Sequence, residues 1–233
     1  MSTLWMLAVR YRNLLWIGFK VTFLVSICAI LLGFVLGVIV CFLRLSKNKI
    51  INKIAFVYVE IIRGTPILLQ IAMVYYGLPM LGGDLPTITV GGIQFDRFAC
   101  GVIALMINSS AYISEIIRGG ILSIDPGQEE AALSLGYTKA QAMVSIIFPA
   151  ALKNCIPALG NNFVTLFKSS AQVSTIGLAD LMYTANLIRG NSFLPFMPLV
   201  LVAILYLVMT LSMSAILRRV EARMNISSAK AKA

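Results

Sequence analysis

The 233-residue chain is 59% apolar, only 12% charged, and carries a formal net charge of +10 with no histidine. An average soluble domain is about 25% charged, so this composition describes an integral membrane protein. The lack of histidine excludes His triads, His proton relays and His metal ligands. The basic residues are not interleaved with aromatics on a soluble face, so they read as membrane-protein loops rather than a nucleic-acid surface. Cys28, Cys41, Cys100 and Cys155 form no CxxC and lie in or beside apolar segments. Packing accounts for them, and neither a disulfide framework nor a metal site is supported.

Residues 1–20 carry Arg10, Arg12 and Lys20, with Trp5 and Trp16 suited to a membrane interface. The apolar run that follows, 21–43, is too long for a signal-peptide core and long enough to span a bilayer, which takes about 20 residues. It is the first predicted span. Ala29, Gly33 and Gly37 recur every four residues along it. Such a stripe of small residues lets another helix approach closely, within the chain or from a second one.

Arg44, Lys47, Lys49 and Lys53 follow in a polar loop. The second span is predicted over 64–83, and Pro66 kinks or starts its helix. Glu60 and Arg63, three apart on one helix face, are placed to pair locally. Residues 82–97 contain two Gly pairs and alternating apolar positions, and read as an external loop with a short hairpin. The third span covers 98–117. Asn108, Tyr112 and Glu115 share one of its faces, and a polar stripe inside a span faces a bundle interior or a watery path.

The segment 123–149 is punctuated as helix, turn, helix. Asp125 is an N-cap with Pro126 at the first helical position, and Gln128 is placed to complete a capping box. Glu129 and Glu130 sit near the positive end of the helix dipole. Gly136 accepts the left-handed geometry of a helix stop. Thr138 to Gln141 forms a second capping box, and Pro149 disfavours helix at Phe148, which predicts a break there. The fourth span, 150–176, is interrupted by Pro157 and Lys168. An intramembrane Lys168 needs a partner or water. Residues 177–193 look amphipathic and interfacial. The last span is 194–217, and the closing residues 226–233 read as disordered.

Five spans put the termini on opposite sides. With the N-terminus outside, twelve basic residues fall in inner segments: Arg44, Lys47, Lys49, Lys53, Arg118, Lys139, Lys153, Arg218, Arg219, Arg223, Lys230 and Lys232. Four fall outside: Arg10, Arg12, Arg97 and Arg189. The positive-inside rule then predicts an all-α membrane protein, N-out and C-in, with 123–149 in the cytoplasm.

In that segment Glu130-Ala131-Ala132, Gly136, Ile146 and Pro149 match, at the same spacing, the EAA pattern of the cytoplasmic loop of ABC importer permeases. Only Phe148 departs, where Leu is usual. Further segments resemble the polar amino acid branch of that family: Arg63-Gly64-Thr65-Pro66 followed by ILLQ, Asn108 to Tyr112 with Glu115 and Arg118, and Lys168 to Gly177. The resemblance covers roughly residues 15 to 220 and makes the whole chain, 1–233, a single importer transmembrane domain. Many relatives have Asp-Thr-Ser-Leu after the lysine; here Ser169 to Gln172 follow Lys168, which leaves its partner open.

The chain has no G-x-x-x-x-G-K-[ST], so it has no ATP site of its own. The resemblance implies a separate ATPase dimer that binds the ATP, and a short coupling helix that docks in a cleft on it. Glu130, Ala131, Ala132 and Gly136 are the coupling residues; Glu130 either meets a basic partner or caps its own helix dipole. A rigid ten-residue helix, about 15 Å long, passes ATPase closure to the spans. Reversing a 1:99 equilibrium takes about 5.5 kcal/mol of differential binding, a scale suited to two ATP sites. The resemblance also implies a second permease chain (identical or similar), an extracytoplasmic substrate-binding protein, a polar amino acid substrate and a bacterial inner-membrane location. Asn108, Glu115 and Lys168 are the candidate substrate-path residues; Glu115 either faces the path, hinting at a cationic substrate, or pairs with Arg118. The competing class is an ion-gradient-driven secondary transporter using Glu115 and Lys168. No repeated halves with matching broken helices support it. Nor does any nucleophile or acid cluster support an enzyme.

Overall fold

The structure is a computed structural model and describes residues 2–83 and 85–223. Helix α1 (Ser2–Arg10) leads into α2 (Arg12–Arg44), 33 residues long. The helix begins nine residues before the predicted 21–43 and takes in Arg12, Asn13 and Lys20. Asn48 then caps α3 (Lys49–Gly64) by accepting from the Ile50 and Ile51 amides.

Between α3 and α4 (Ile67–Met80) the chain bends by 109°. The cause is local. Pro66 forces Thr65 into an extended conformation (φ −113°, ψ 144°), so the helix stops and restarts. The segment expected as one span over 64–83 is therefore a broken pair that begins at Lys49. A two-stranded hairpin follows, β1 (Thr89–Val90) with β2 (Ile93–Gln94), turned by Gly91 and Gly92 at φ +60° and +85°. Both turn positions require left-handed geometry, which glycine adopts without cost.

Helix α5 (Phe95–Leu122) is the most enclosed span and packs along α2. The small-residue stripe makes that contact. A Cβ on Gly33 would lie 3.0 Å from Ser109, and one on Gly37 would lie 2.7 Å from Ile113 Cγ2. The stripe thus serves packing within the chain.

Helix α6 (Pro126–Ser134) and the single turn α7 (Lys139–Ala142) form the helix-turn-helix segment. From α7 the helix continues through a π-turn at Met143–Ile147 into α8 (Phe148–Ser169) and a 3₁₀ stretch to Ile176. The break expected at Phe148 does not occur, since its dihedrals are helical (φ −62°, ψ −44°). The wider π-turn just before Pro149 leaves a backbone with room for a ring that cannot donate. Asp180 caps α9 (Leu181–Ser192), accepting from the Tyr183 amide at 2.8 Å, and Tyr206 of α10 (Met197–Arg223) donates to it at 3.2 Å.

Among the described residues, four helices are long and apolar enough to cross a membrane, and five segments are if the bent pair counts as one. One buried cluster joins the first half of α2 to α5, α8 and α9 around Val21, Val25, Leu105, Phe167 and Leu181. A second joins the end of α2 to α5 and α8 around Cys41, Ile113, Ile117, Ala151 and Cys155. All four cysteines are free thiols, and Cys41, Cys100 and Cys155 are buried. The basic C-terminal residues Lys230 and Lys232, and the tail expected to be disordered, lie outside the described residues.

Candidate functional site: a cavity at the broken helix

The bend between α3 and α4 leaves backbone carbonyls without helical partners. In a membrane such a break persists only where other groups satisfy it. Gln70, 7% exposed, does so: its Nε2 donates to the Ile62 carbonyl at 2.7 Å and reaches the Thr65 Oγ1 at 2.8 Å and carbonyl at 3.2 Å. Its Oε1 accepts from Asn108 Nδ2 of α5 at 2.9 Å. One side chain therefore holds the joint and orients a residue of the neighbouring helix. Tyr58 adds a second link from α3 to α5, sharing a 2.7 Å hydrogen bond with Ser110.

Beside this joint opens a cavity of about 560 Å³. Thr65 and Pro66 line it at the bend, Asn108 and Tyr112 on α5, and Asn161, Asn162, Thr165 and Ser169 on α8. Spacings of four (108, 112) and of three to four (158, 161/162, 165, 169) bring each set to one helix face. Of the three path residues expected from sequence, Asn108 lines the cavity; Glu115 and Lys168 do not. Lys168 is exposed near the end of α8.

Glu115 sits about two turns beyond Asn108 on α5 and is engaged elsewhere. Arg118 donates to both of its oxygens, at 3.0 and 2.8 Å, and Arg44 of α2 donates twice to Oε1, at 3.3 and 3.2 Å. Arg63 Nη1 approaches Oε2 at 4.0 Å, and its guanidinium lies over the Tyr112 ring at 5.6 Å. The local Glu60–Arg63 pair expected from spacing is replaced by this longer-range contact, because the end of α3 is drawn toward α5. Glu115 is thus a hub for three arginines rather than a lining acid.

Just beyond the C-terminal end of α5, α6 is built as a short rigid unit. Asp125 Oδ1 accepts from the Gly127 amide at 2.7 Å, while Gln128 contributes its backbone amide to the Asp125 carbonyl rather than a side-chain box. The helix ends in a Schellman motif: Gly136 N–H meets Leu133 O at 3.0 Å, and Tyr137 N–H meets Ala132 O at 3.1 Å, with Gly136 at φ +88°. The second capping box is present, with Thr138 N–H on Gln141 Oε1 and Gln141 N–H on Thr138 Oγ1. Glu130 and Ala131 face outward, whereas Ala132 is 1% exposed and packs within the chain. Leu135 and Tyr137 are exposed beside them, at 78% and 41%.

Sequence reasoning did not single out Gln70, Arg44 or Asp180. Gln70 stood only inside the ILLQ string; the signal available was a buried-face amide four residues past a helix-breaking proline. By sequence Arg44 belongs to the loop charge, and its partner lies 71 residues away, beyond any local spacing rule.

Apolar spanning helices around a broken-helix polar cavity define a multi-span membrane transport component. The chain matches the family described as binding-protein-dependent transport system inner membrane component over residues 6–226, and it belongs to that family. It is a permease subunit of an import system in the inner membrane. It is 38% identical to the glutamine transport system permease protein GlnP of Escherichia coli (strain K12), covering 90% of this chain and 92% of that one. It is 37% identical to the arginine transport system permease protein ArtQ of Bacillus subtilis (strain 168), covering 89% and 90%. Among solved structures, a crystal structure of an amino acid ABC transporter with histidines matches with TM-score 0.82 and 43% identity, over 92% of this chain and 96% of that one. The MetNI methionine transporter in an inward-facing form matches with TM-score 0.67 at 17% identity, which speaks to the fold alone.

Proposed function

We propose that this chain is the permease of an ATP-driven importer for a polar amino acid, N-out and C-in, with α6 as the coupling helix to a separate ATPase dimer. A second permease chain completes the path, and an extracytoplasmic binding protein delivers the substrate. The observation that carries this reading is the mechanical continuity of 126–176. An outward-facing short helix with sealed ends is joined through one capped turn, and a Glu129–Lys139 contact at 4.0 Å, to a helix that runs from Lys139 to Ile176 and lines the cavity. Nine residues at about 1.5 Å each make α6 about 13 Å long. A push on it is transmitted to α8 as rigid-body motion.

Asn108, with its neighbours at the bend and on α8, is assigned to substrate contact. Glu115 is assigned to the ion-pair hub, and Lys168 is exposed on α8 beside the cavity-lining Ser169. ATP binds on the ATPase partner.

Reconstitution in liposomes with the ATPase and binding protein tests the reading. Amino acid uptake is expected only with ATP inside. Glu130→Arg and Gly136→Pro are expected to insert normally yet lose the ATPase on purification. Uptake by the permease chains alone would sink the ATP-driven reading; normal ATP-driven uptake in both variants would sink the role given to α6.

A further inference from the structure

The cavity's chemistry is narrower than that of a polar amino acid site in general, an inference that rests on reading the cavity as the substrate site. Among the described residues, no Asp, Glu, Lys or Arg lines it. Its polar groups are amides and hydroxyls. The charged group placed against the lining is positive: the Arg63 guanidinium, over the Tyr112 ring. Behind it stand Arg44 and Arg118, and both oxygens of Glu115 are already taken by them. Glu60 is exposed one turn before Arg63, and Lys168 is exposed next to Ser169. Counting all six groups, the surroundings carry excess positive charge.

The orientation of Asn108 follows from Gln70. One N–H of Asn108 is spent on Gln70 Oε1, and its Oδ1 accepts nothing among the described residues. It is left as an acceptor for a ligand's α-ammonium. The α-carboxylate suits the Arg63 side. The Asn161 and Asn162 amides still offer both donors and acceptors, and Thr165, whose hydroxyl proton goes to the Asn161 carbonyl at 2.9 Å, offers an acceptor, which matches a carboxamide or hydroxyl side chain. A guanidinium or ammonium side chain would meet no carboxylate there and would be desolvated beside like charge.

We propose that this permease itself selects a net-neutral α-amino acid with a carboxamide or hydroxyl side chain and disfavours cationic ones, with Asn108 as the acceptor that Gln70 positions. Overall similarity does not make this distinction, since the glutamine and arginine relatives above are 38% and 37% identical.

The test removes the binding protein, which would impose its own choice. The permease–ATPase complex in detergent is titrated with glutamine, asparagine, arginine, lysine and glutamate, with saturation-transfer NMR reading weak binding. Glutamine and asparagine are expected to saturate, with arginine and lysine at least tenfold weaker. Asn108→Asp is expected to shift the arginine-to-glutamine ratio by tenfold or more toward arginine. Should that variant not assemble, Asn161→Asp places the same charge from exposed α8 and is expected to shift the ratio the same way. Arginine binding as tightly as glutamine to the unaltered complex overturns the proposal, as does glutamate matching glutamine. A complex that binds none of the five would instead defeat the cavity as substrate site, and this proposal with it.

Discussion

Arg44, the last residue of α2, hydrogen-bonds through Nε and Nη2 to Glu115 Oε1 at 3.3 and 3.2 Å, joining two spans whose residues stand 71 apart in sequence. The pair is mostly enclosed, with side-chain exposures of 11% and 18%, and Arg118 completes it from one turn away. Glu115→Gln removes the carboxylate and leaves partly buried arginines facing one another. Losing charge-assisted hydrogen bonds of this kind costs about 2–3 kcal/mol. Arg63→Ala removes a 4.0 Å contact from a side chain 42% exposed and costs less than about 1 kcal/mol. Thermal unfolding of the purified complex in detergent ranks the two; equal losses would mean that the Arg63 contact, rather than those of Arg44 and Arg118, carries the cluster.

Gln70 and Asn108 share a hydrogen bond but have different duties. Gln70→Leu strands carbonyls at the α3–α4 bend as well as the Asn108 amide. Each buried unsatisfied group costs about 1–3 kcal/mol, so a loss of about 3 kcal/mol is expected together with impaired uptake. Asn108→Ala removes a half-buried cavity group and leaves only the buried Gln70 Oε1 without its partner, so a smaller loss of about 1–2 kcal/mol is expected. Its KM for uptake nevertheless rises tenfold or more, with the maximal rate less affected. Melting curves and uptake kinetics on both variants separate the duties. An Asn108→Ala protein that melts early with an unchanged KM would make Asn108 a structural residue.

How much of this was legible in the sequence depended on the reach of each interaction. Local rules located the Thr138 capping box, the Gly136 stop and the Gly91-Gly92 hairpin, because caps and turns are written within a few residues of themselves. The Asn108–Tyr112 face was legible by helical spacing. The Glu115 hub was half legible: Arg118 lies three residues on, but Arg44 is brought in only by the packing of α2 on α5. The continuity through Phe148 was misread, because a proline rule tuned to ordinary α-helix does not foresee a π-turn that absorbs the ring. Likewise Glu60 and Arg63 satisfied the pairing rule, yet a tertiary acceptor drew Arg63 away.

Close packing of α2 on α5 makes a glycine comparison decisive. A Cβ on Gly37 would lie 2.7–2.8 Å from the Ile113 side chain and 3.0 Å from the Ser110 carbonyl, so the helices must separate. Gly37→Ala is expected to destabilise by about 1–3 kcal/mol, as overpacking does. At Gly64 nothing lies within 4 Å and the residue ends a helix, so Gly64→Ala is expected to be neutral or to stabilise by up to about 1 kcal/mol. Denaturant or thermal unfolding in one detergent checks the sign of both. A neutral Gly37→Ala would show that α2 and α5 do not approach this closely.

The adjacent alanines of α6 offer a test of coupling that does not confuse folding with docking. Both belong to the Glu130-Ala131-Ala132 pattern, but the helix turns them to opposite environments. Ala132 is 1% exposed, tucked against its own chain, and its carbonyl receives the Tyr137 amide that closes the helix. Ala131 is exposed beside Glu130. Ala132→Leu therefore forces several heavy atoms into a filled space, with an expected cost of about 1–3 kcal/mol to the permease even without a partner. Ala131→Leu leaves the isolated permease within about 0.5 kcal/mol, as a surface substitution does. If α6 enters a cleft on the ATPase, that same leucine obstructs it, and retention of the ATPase on purification falls by tenfold or more. The measurement is a paired one: melting of the permease alone, and the ATPase-to-permease ratio after pull-down. Should Ala131→Leu retain the ATPase fully and support uptake at the normal rate, the outward face of α6 is not the surface that meets the ATPase.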